Sequence, residues 1–175
     1  MSDIQNAFRL IGSLDLTSLS HDDTEEKIAA LCAKAVTPYG TTAAVCVYPE
    51  WVPLARKLLK KTPVKVATVV NFPAGGNDFK LMKDEIKKGL SGGADEIDAV
   101  FPYRDFLAGN TDSCRRFLDI IQRECGKHTS KIILETGELN HVSTIAAAVK
   151  LCLEYDIDFI KTSTGKTPVS ATVGA

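Results

Sequence analysis

The chain has 175 residues, 45% hydrophobic and 25% charged, and its 21 Lys and Arg against 22 Asp and Glu leave a net charge of -1. That composition excludes a disordered, collagen-like or low-complexity chain, and the even charge balance argues against a nucleic-acid binder, which carries a basic surplus. No stretch approaches the ~20 apolar residues that span a bilayer, Met1–Leu10 lacks the basic-then-apolar block of a secretory signal, and five cysteines with no C-x-x-C pair read as reduced thiols of a cytoplasmic protein.

A short apolar run around Leu14–Leu16 reads as the first strand. Ser20 and Asp22 then offer capping oxygens before Thr24-Glu25-Glu26, and Ile28, Leu31, Cys32 and Ala35 follow at helical spacing. Thr42–Val47 predicts a strand, and a helix follows from near Pro49 with Val52, Ala55, Leu58 and Leu59 on one stripe. Val64–Val70 is a strand, and about Asp78 to Leu90 a helix. Glu96–Phe101 is a strand, and about Asp112 to Cys125 a helix. Lys131–Glu135 is a strand, about Val142 to Tyr155 a helix, and Phe159–Thr162 the last strand. Short apolar strands alternating with helices signal repeated β/α units on a parallel sheet. No Gly/Ser/Pro-rich linker interrupts the series, so residues 1–175 read as a single domain.

An open doubly wound sheet and a closed eight-stranded barrel both fit that alternation. The charges inside the strands favour the barrel. Residues two apart share a strand face, so Glu96 and Asp98 point one way, as do Lys131 and Glu135, and Phe159 and Lys161. Helices cover both faces of a doubly wound sheet and make such charges costly, whereas a barrel mouth accepts them as active-site groups. Lys131 and Glu96 fall early in their strands, where ion pairing at the barrel bottom is the expectation.

Asp98 and Lys161 fall later, and Lys161 leads into Thr162-Ser163-Thr164-Gly165-Lys166-Thr167. A small, hydroxylated, Gly-containing loop at a strand's C-terminal end can offer N–H groups and a Lys to phosphate. A lysine desolvated among apolar neighbours such as Phe159 and Ile160 sheds its proton more readily and becomes a nucleophile toward carbonyls. Asp98 can then move protons. Amine, acid/base and anion loop together suggest a carbon–carbon lyase acting on a phosphorylated sugar. The three histidines (His21, His128, His141) are scattered, which predicts no metal site.

Six segments, in order along nearly the whole chain, resemble the deoxyribose-phosphate aldolases. They are L-D-L-T-S-L (Leu14–Leu19), T-T-A-A-V-C-V-Y-P (Thr41–Pro49), V-N-F-P-A-G (Val70–Gly75), G-A-D-E-I-D-A-V (Gly93–Val100), I-L-E-T-G-E-L (Ile133–Leu139) and F-I-K-T-S-T-G-K (Phe159–Lys166). The resemblance implies an α/β fold, a (β/α)8 TIM barrel of which this chain holds about the first six repeats. It also implies a class I aldolase that reversibly cleaves 2-deoxyribose 5-phosphate into glyceraldehyde 3-phosphate and acetaldehyde, with no metal or other cofactor. Residue by residue, Lys161 matches the imine-forming lysine and Asp98 the proton-relay carboxylate. Gly165 and Lys166, with Thr164 beside them, match the phosphate loop, and Asp15, Thr17 and Cys46 match pocket-lining positions. Cys46 is equally readable as a buried packing residue.

The family pattern continues into a seventh strand of the form G-F-K-P-A-G-G, with a second lysine, and an eighth with a G-A-S-S loop. Neither form occurs here; the sequence ends at Ala171-Thr172-Val173-Gly174-Ala175, where the sixth helix should begin. The expectation is therefore a C-terminally incomplete barrel, poorly active as a monomer. Its expected partners are a small phosphorylated sugar and further copies of itself, not nucleic acid or membrane. A non-catalytic remnant that binds a sugar phosphate, or another Schiff-base phosphosugar aldolase, are the alternative readings.

Overall fold

The protein is described by a computed structural model covering residues 3–172. Elements run in chain order as α1 (Asp3–Ile11), β1 (Asp15–Thr17), α2 (Glu25–Lys34), the hairpin strands β2 (Val36–Thr37) and β3 (Gly40–Thr41), and β4 (Ala44–Val47). They continue with α3 (Val52–Leu59), β5 (Lys65–Val70), α4 (Phe79–Gly92), β6 (Glu96–Val100), α5 (Tyr103–Leu107) and α6 (Thr111–Cys125). The last are β7 (Thr129–Ile133), α7 (Thr136–Leu139), α8 (Val142–Cys152) and β8 (Phe159–Lys161). Six strands hydrogen-bond in one parallel sheet in the order β1-β4-β5-β6-β7-β8, the order of the chain. Sequential parallel pairing with a helix between most neighbours is the arrangement of (β/α)8 repeats. The expected strands are all present, together with α1, the hairpin and α5 and α7, none of which the apolar pattern predicts. These additions are too short or too exposed to carry a clear period.

The chain divides into two compact units, Met1–Thr68 with Lys88–Glu96, and Val69–Lys87 with Ile97–Ala175. In the first unit, β1 pairs β4 in parallel with Asp15 opposite Ala44 and Thr17 opposite Cys46. The side chain of Thr24 caps α2 by accepting the N–H of Lys27 at 3.3 Å, so the cap is Thr24 rather than the expected Ser20 or Asp22. Ile28, Cys32, Val45, Val47, Ala55 and Leu59 are buried there.

In the second unit, β7 pairs β8 with Lys131 opposite Phe159 and Ile133 opposite Lys161. Phe101 packs edge-on against Phe117, with ring centroids 5.9 Å apart, and Phe117, Leu118 and Ile121 of α6 are fully buried. Burying each such side chain stabilises the fold by about 1.5–3 kcal/mol. Among the described residues no helix is long and apolar enough to cross a membrane. The sixth helix is expected to begin within residues 171–175; of these, residues 173–175 lie outside the described residues.

Candidate active site

β6 alternates sides at each residue, and Asp98, its third residue, is fully buried with no solvent exposure. A carboxylate without water must be paired, since desolvating an ion costs several kcal/mol or more. Two lysines of neighbouring sequence repeats supply the pairing. The Nζ of Lys161 donates to Oδ2, and the Nζ of Lys131 lies 3.7 Å from Oδ1. The Lys131 side chain is 7% exposed and that of Lys161 30%, so Lys161 is the member of the cluster that solutes can reach.

Two sequence expectations need correcting at this point. Lys131 stands mid-strand rather than at the strand's beginning, and its Nζ faces the same Asp98 carboxylate as Lys161. The strand starts two residues earlier than its apolar pattern suggests, because Asp158 accepts the Ser130 N–H at 2.8 Å and extends the ladder, which leaves Lys131 mid-strand. Nor is Lys161 wrapped by its apolar chain neighbours. Phe159 is 56% and Ile160 37% exposed, the Lys161 side chain is itself 30% exposed, and its amine meets the Asp98 carboxylate.

The loop after β8 is tied to the residues after β7. Leu134 N–H donates to Lys161 O at 3.0 Å and Thr136 N–H to Thr162 O at 2.8 Å, which continues the parallel ladder past both strand ends. Thr164 donates its N–H to the carboxylate of Glu135, 3.4 Å from Oε1 and 3.3 Å from Oε2, and its hydroxyl to Oε2. The Thr164 Oγ1 in turn accepts the Lys166 N–H at 3.0 Å. Between them Gly165 adopts φ 72°, a left-handed turn for which glycine carries no steric penalty. Gly165 and Lys166 are exposed, and the Ser163 hydroxyl is buried without a hydrogen bond. Glu135 is absent from the predicted site residues; its signals were a charge sharing a strand face with Lys131 and a place in the I-L-E-T-G-E-L segment.

The remaining predicted residues belong to the first unit. Asp15 is half-buried, and exposed Thr17 donates its hydroxyl to Asp15 O at 3.3 Å. Cys46, opposite Thr17 across the β1–β4 pair, is 1% exposed. The structure therefore brings together Lys161, Asp98 and Lys131, and next to Lys161 in the chain the Thr164–Lys166 loop. Asp15, Thr17 and Cys46 lie on β1 and β4 of the first unit.

Residues 9–175 match the model of the DeoC/LacD family aldolases. The chain belongs to that family. Among solved structures, it is similar to a provisionally named deoxyribose-phosphate aldolase of Coccidioides immitis, at 29% identity and a TM-score of 0.90, covering 95% of this chain and 65% of that one. It is similar to an aldolase designated QR15 at 32% identity and a TM-score of 0.86, over 98% of this chain and 73% of the other. A deoxyribose phosphate aldolase of Aeropyrum pernix, described as a tetramer, matches at 27% identity and a TM-score of 0.79, over 91% and 66%. The family chain thus spans about two thirds of the length of these relatives, and its fold is that of a partial TIM barrel.

Proposed function

We propose that this family aldolase works through a Schiff base and reversibly cleaves 2-deoxy-D-ribose 5-phosphate to D-glyceraldehyde 3-phosphate and acetaldehyde, in deoxynucleoside and deoxyribose catabolism. The observation that carries the reading is the Lys161 amine bonded to a fully buried carboxylate that also faces Lys131. An amine must lose a proton before it attacks a carbonyl carbon. Asp98 touches that amine. The Asp98 carboxylate also faces the Nζ of Lys131 at 3.7 Å, so a cation remains beside it when Lys161 gives up its proton.

The reaction follows from that pairing. The neutral Nζ of Lys161 adds to the aldehyde carbon of the open-chain sugar, and loss of water gives a protonated imine. A base removes the proton of the sugar's third-carbon hydroxyl, the bond between the second and third carbons breaks, and its electron pair flows into the imine as an enamine. Glyceraldehyde 3-phosphate leaves as the aldehyde. Protonation of the enamine carbon and hydrolysis of the imine release acetaldehyde and restore the amine. Asp98, directly or through water, moves these protons. Gly165 and Lys166 would meet the phosphate, with Asp15, Thr17 and Cys46 lining the rest of the pocket, as the resemblance implies.

The reaction needs no metal or cofactor in this reading. Among the described residues no group of three or more His, Cys, Asp or Glu is placed to hold an ion. The five cysteines are all buried and unbridged, which supports a reducing, cytoplasmic setting. The tetramer described for the Aeropyrum pernix relative supports association of this chain with copies of itself. The test is the release of acetaldehyde from 2-deoxyribose 5-phosphate compared with cleavage of a six-carbon ketose phosphate. Preference for the deoxy sugar is expected; preference for the ketose would assign the chain to another phosphosugar aldolase.

A further inference from the structure

Glu135 stands where its residue type is not favoured. Its backbone lies at φ 57° and ψ 62°, the left-handed region that side chains other than those of Gly, Asn and Asp seldom adopt. Its side chain is also fully buried. A strained backbone and a buried carboxylate at one residue point to a constraint that the surroundings enforce. The partners of the carboxylate show what is constrained. Both donors of Thr164, N–H and hydroxyl, go to Glu135, and the same hydroxyl oxygen receives the Lys166 N–H at 3.0 Å. One continuous line therefore joins a carboxylate two residues beyond β7 to the backbone of Lys166, across the left-handed Gly165.

We propose that Glu135 is a positioning residue for the anion loop. Its carboxylate occupies the Thr164 donors and fixes the Thr164 hydroxyl. That hydroxyl in turn sets the turn of Gly165 and Lys166 that receives an anionic group of phosphate type. Thr164 acts through this line and does not itself hold the anion. The inference rests on the proposed aldolase only in assigning the loop to the substrate's phosphate end. The geometry of the line stands apart from the chemistry at Lys161.

The test measures the affinity of the chain for inorganic phosphate, and separately the trapping of acetaldehyde on Lys161 with borohydride. Glu135→Gln halves the acceptor capacity of the carboxylate, and Thr164→Val removes the hydroxyl; each is expected to weaken phosphate about tenfold, the size of one lost charged hydrogen bond. The double variant should lose little more than either single one, because both changes cut one line. Thr164→Ser keeps the hydroxyl and should restore wild-type affinity. Should Glu135→Gln fail to fold, the Thr164→Val and Thr164→Ser pair decides alone. Single variants that bind phosphate like the wild type, losses that simply add, or a wild-type chain that does not bind phosphate would each overturn the proposal. A chain that binds phosphate as described but traps no acetaldehyde defeats the aldolase reading and leaves this inference standing.

Discussion

Asp95 and Asp98 lie three residues apart, and the protein uses them in opposite ways. Asp95, just before β6, accepts the Val66 N–H at 2.9 Å and the guanidinium of Arg56, which also donates to Gly93 O at 2.9 Å. Asp158, just before β8, does the same for the N–H of Ser130. These acids bind backbone and hold strand starts in register. Asp98 sits mid-strand, fully buried, and its recorded partners are side-chain ammonium groups. A carboxylate bound to backbone can do little but hold. One bound to lysines can trade protons with them. Gly93 belongs to the holding region: at φ 100° its missing side chain leaves room for the Arg56 chain, whose Cγ lies 3.0 Å from where a Cβ would stand.

The contrast can be broken most severely at Lys161. Lys161→Arg keeps a cation on Asp98 but removes the imine-forming amine, so adduct formation should vanish while the chain stays folded; mass spectrometry of the borohydride-treated variant reads this. Asp98→Asn should act on both function and stability. It leaves two lysines facing a neutral amide, with a loss of about 3–5 kcal/mol by denaturant titration and a drop in acetaldehyde trapping of about 10²-fold or more.

Arg56→Met should do the opposite of Lys161→Arg. Its ion pair is about one-third exposed on each side, so denaturant titration should show a loss of only about 1 kcal/mol after allowance for solvent screening, with trapping unchanged. The smallest effect at neutral pH concerns the buried thiols, whose contribution changes only in alkali. Burial pushes Cys125 and Cys152 up to about 12 from an ordinary 9.0. A group raised on folding stabilises the native state below its unfolded value and loses that contribution as pH rises. Stability from this source should therefore be level up to about pH 8 and fall between about pH 9 and 12, read as denaturation midpoints, with both thiols slow to alkylate in the native chain at pH 8.

The sheet was legible in the sequence because each buried strand is a short Val/Ile/Ala run with a helical stripe after it. Asp98 and Lys161 were legible for the opposite reason, as charges that such runs should not contain. Lys131 carried the same signal but was misplaced. Its position depended on where β7 begins, and a side-chain acceptor, Asp158, fixes that start rather than any apolar residue. Glu135 was legible as a charge in a strand, but its role was not, because that depends on Thr164, 29 residues away, and on a left-handed backbone that no local residue preference announces. α7 hid similarly, as four residues with no room for a period.

The central claim is that the amine held by Asp98 is a competent nucleophile, and reduction with borohydride in the presence of acetaldehyde tests it most directly. The account predicts an ethyl group on Lys161, found by peptide mapping, and none on the less exposed Lys131. No adduct, or one spread over surface lysines without preference for Lys161, would contradict it.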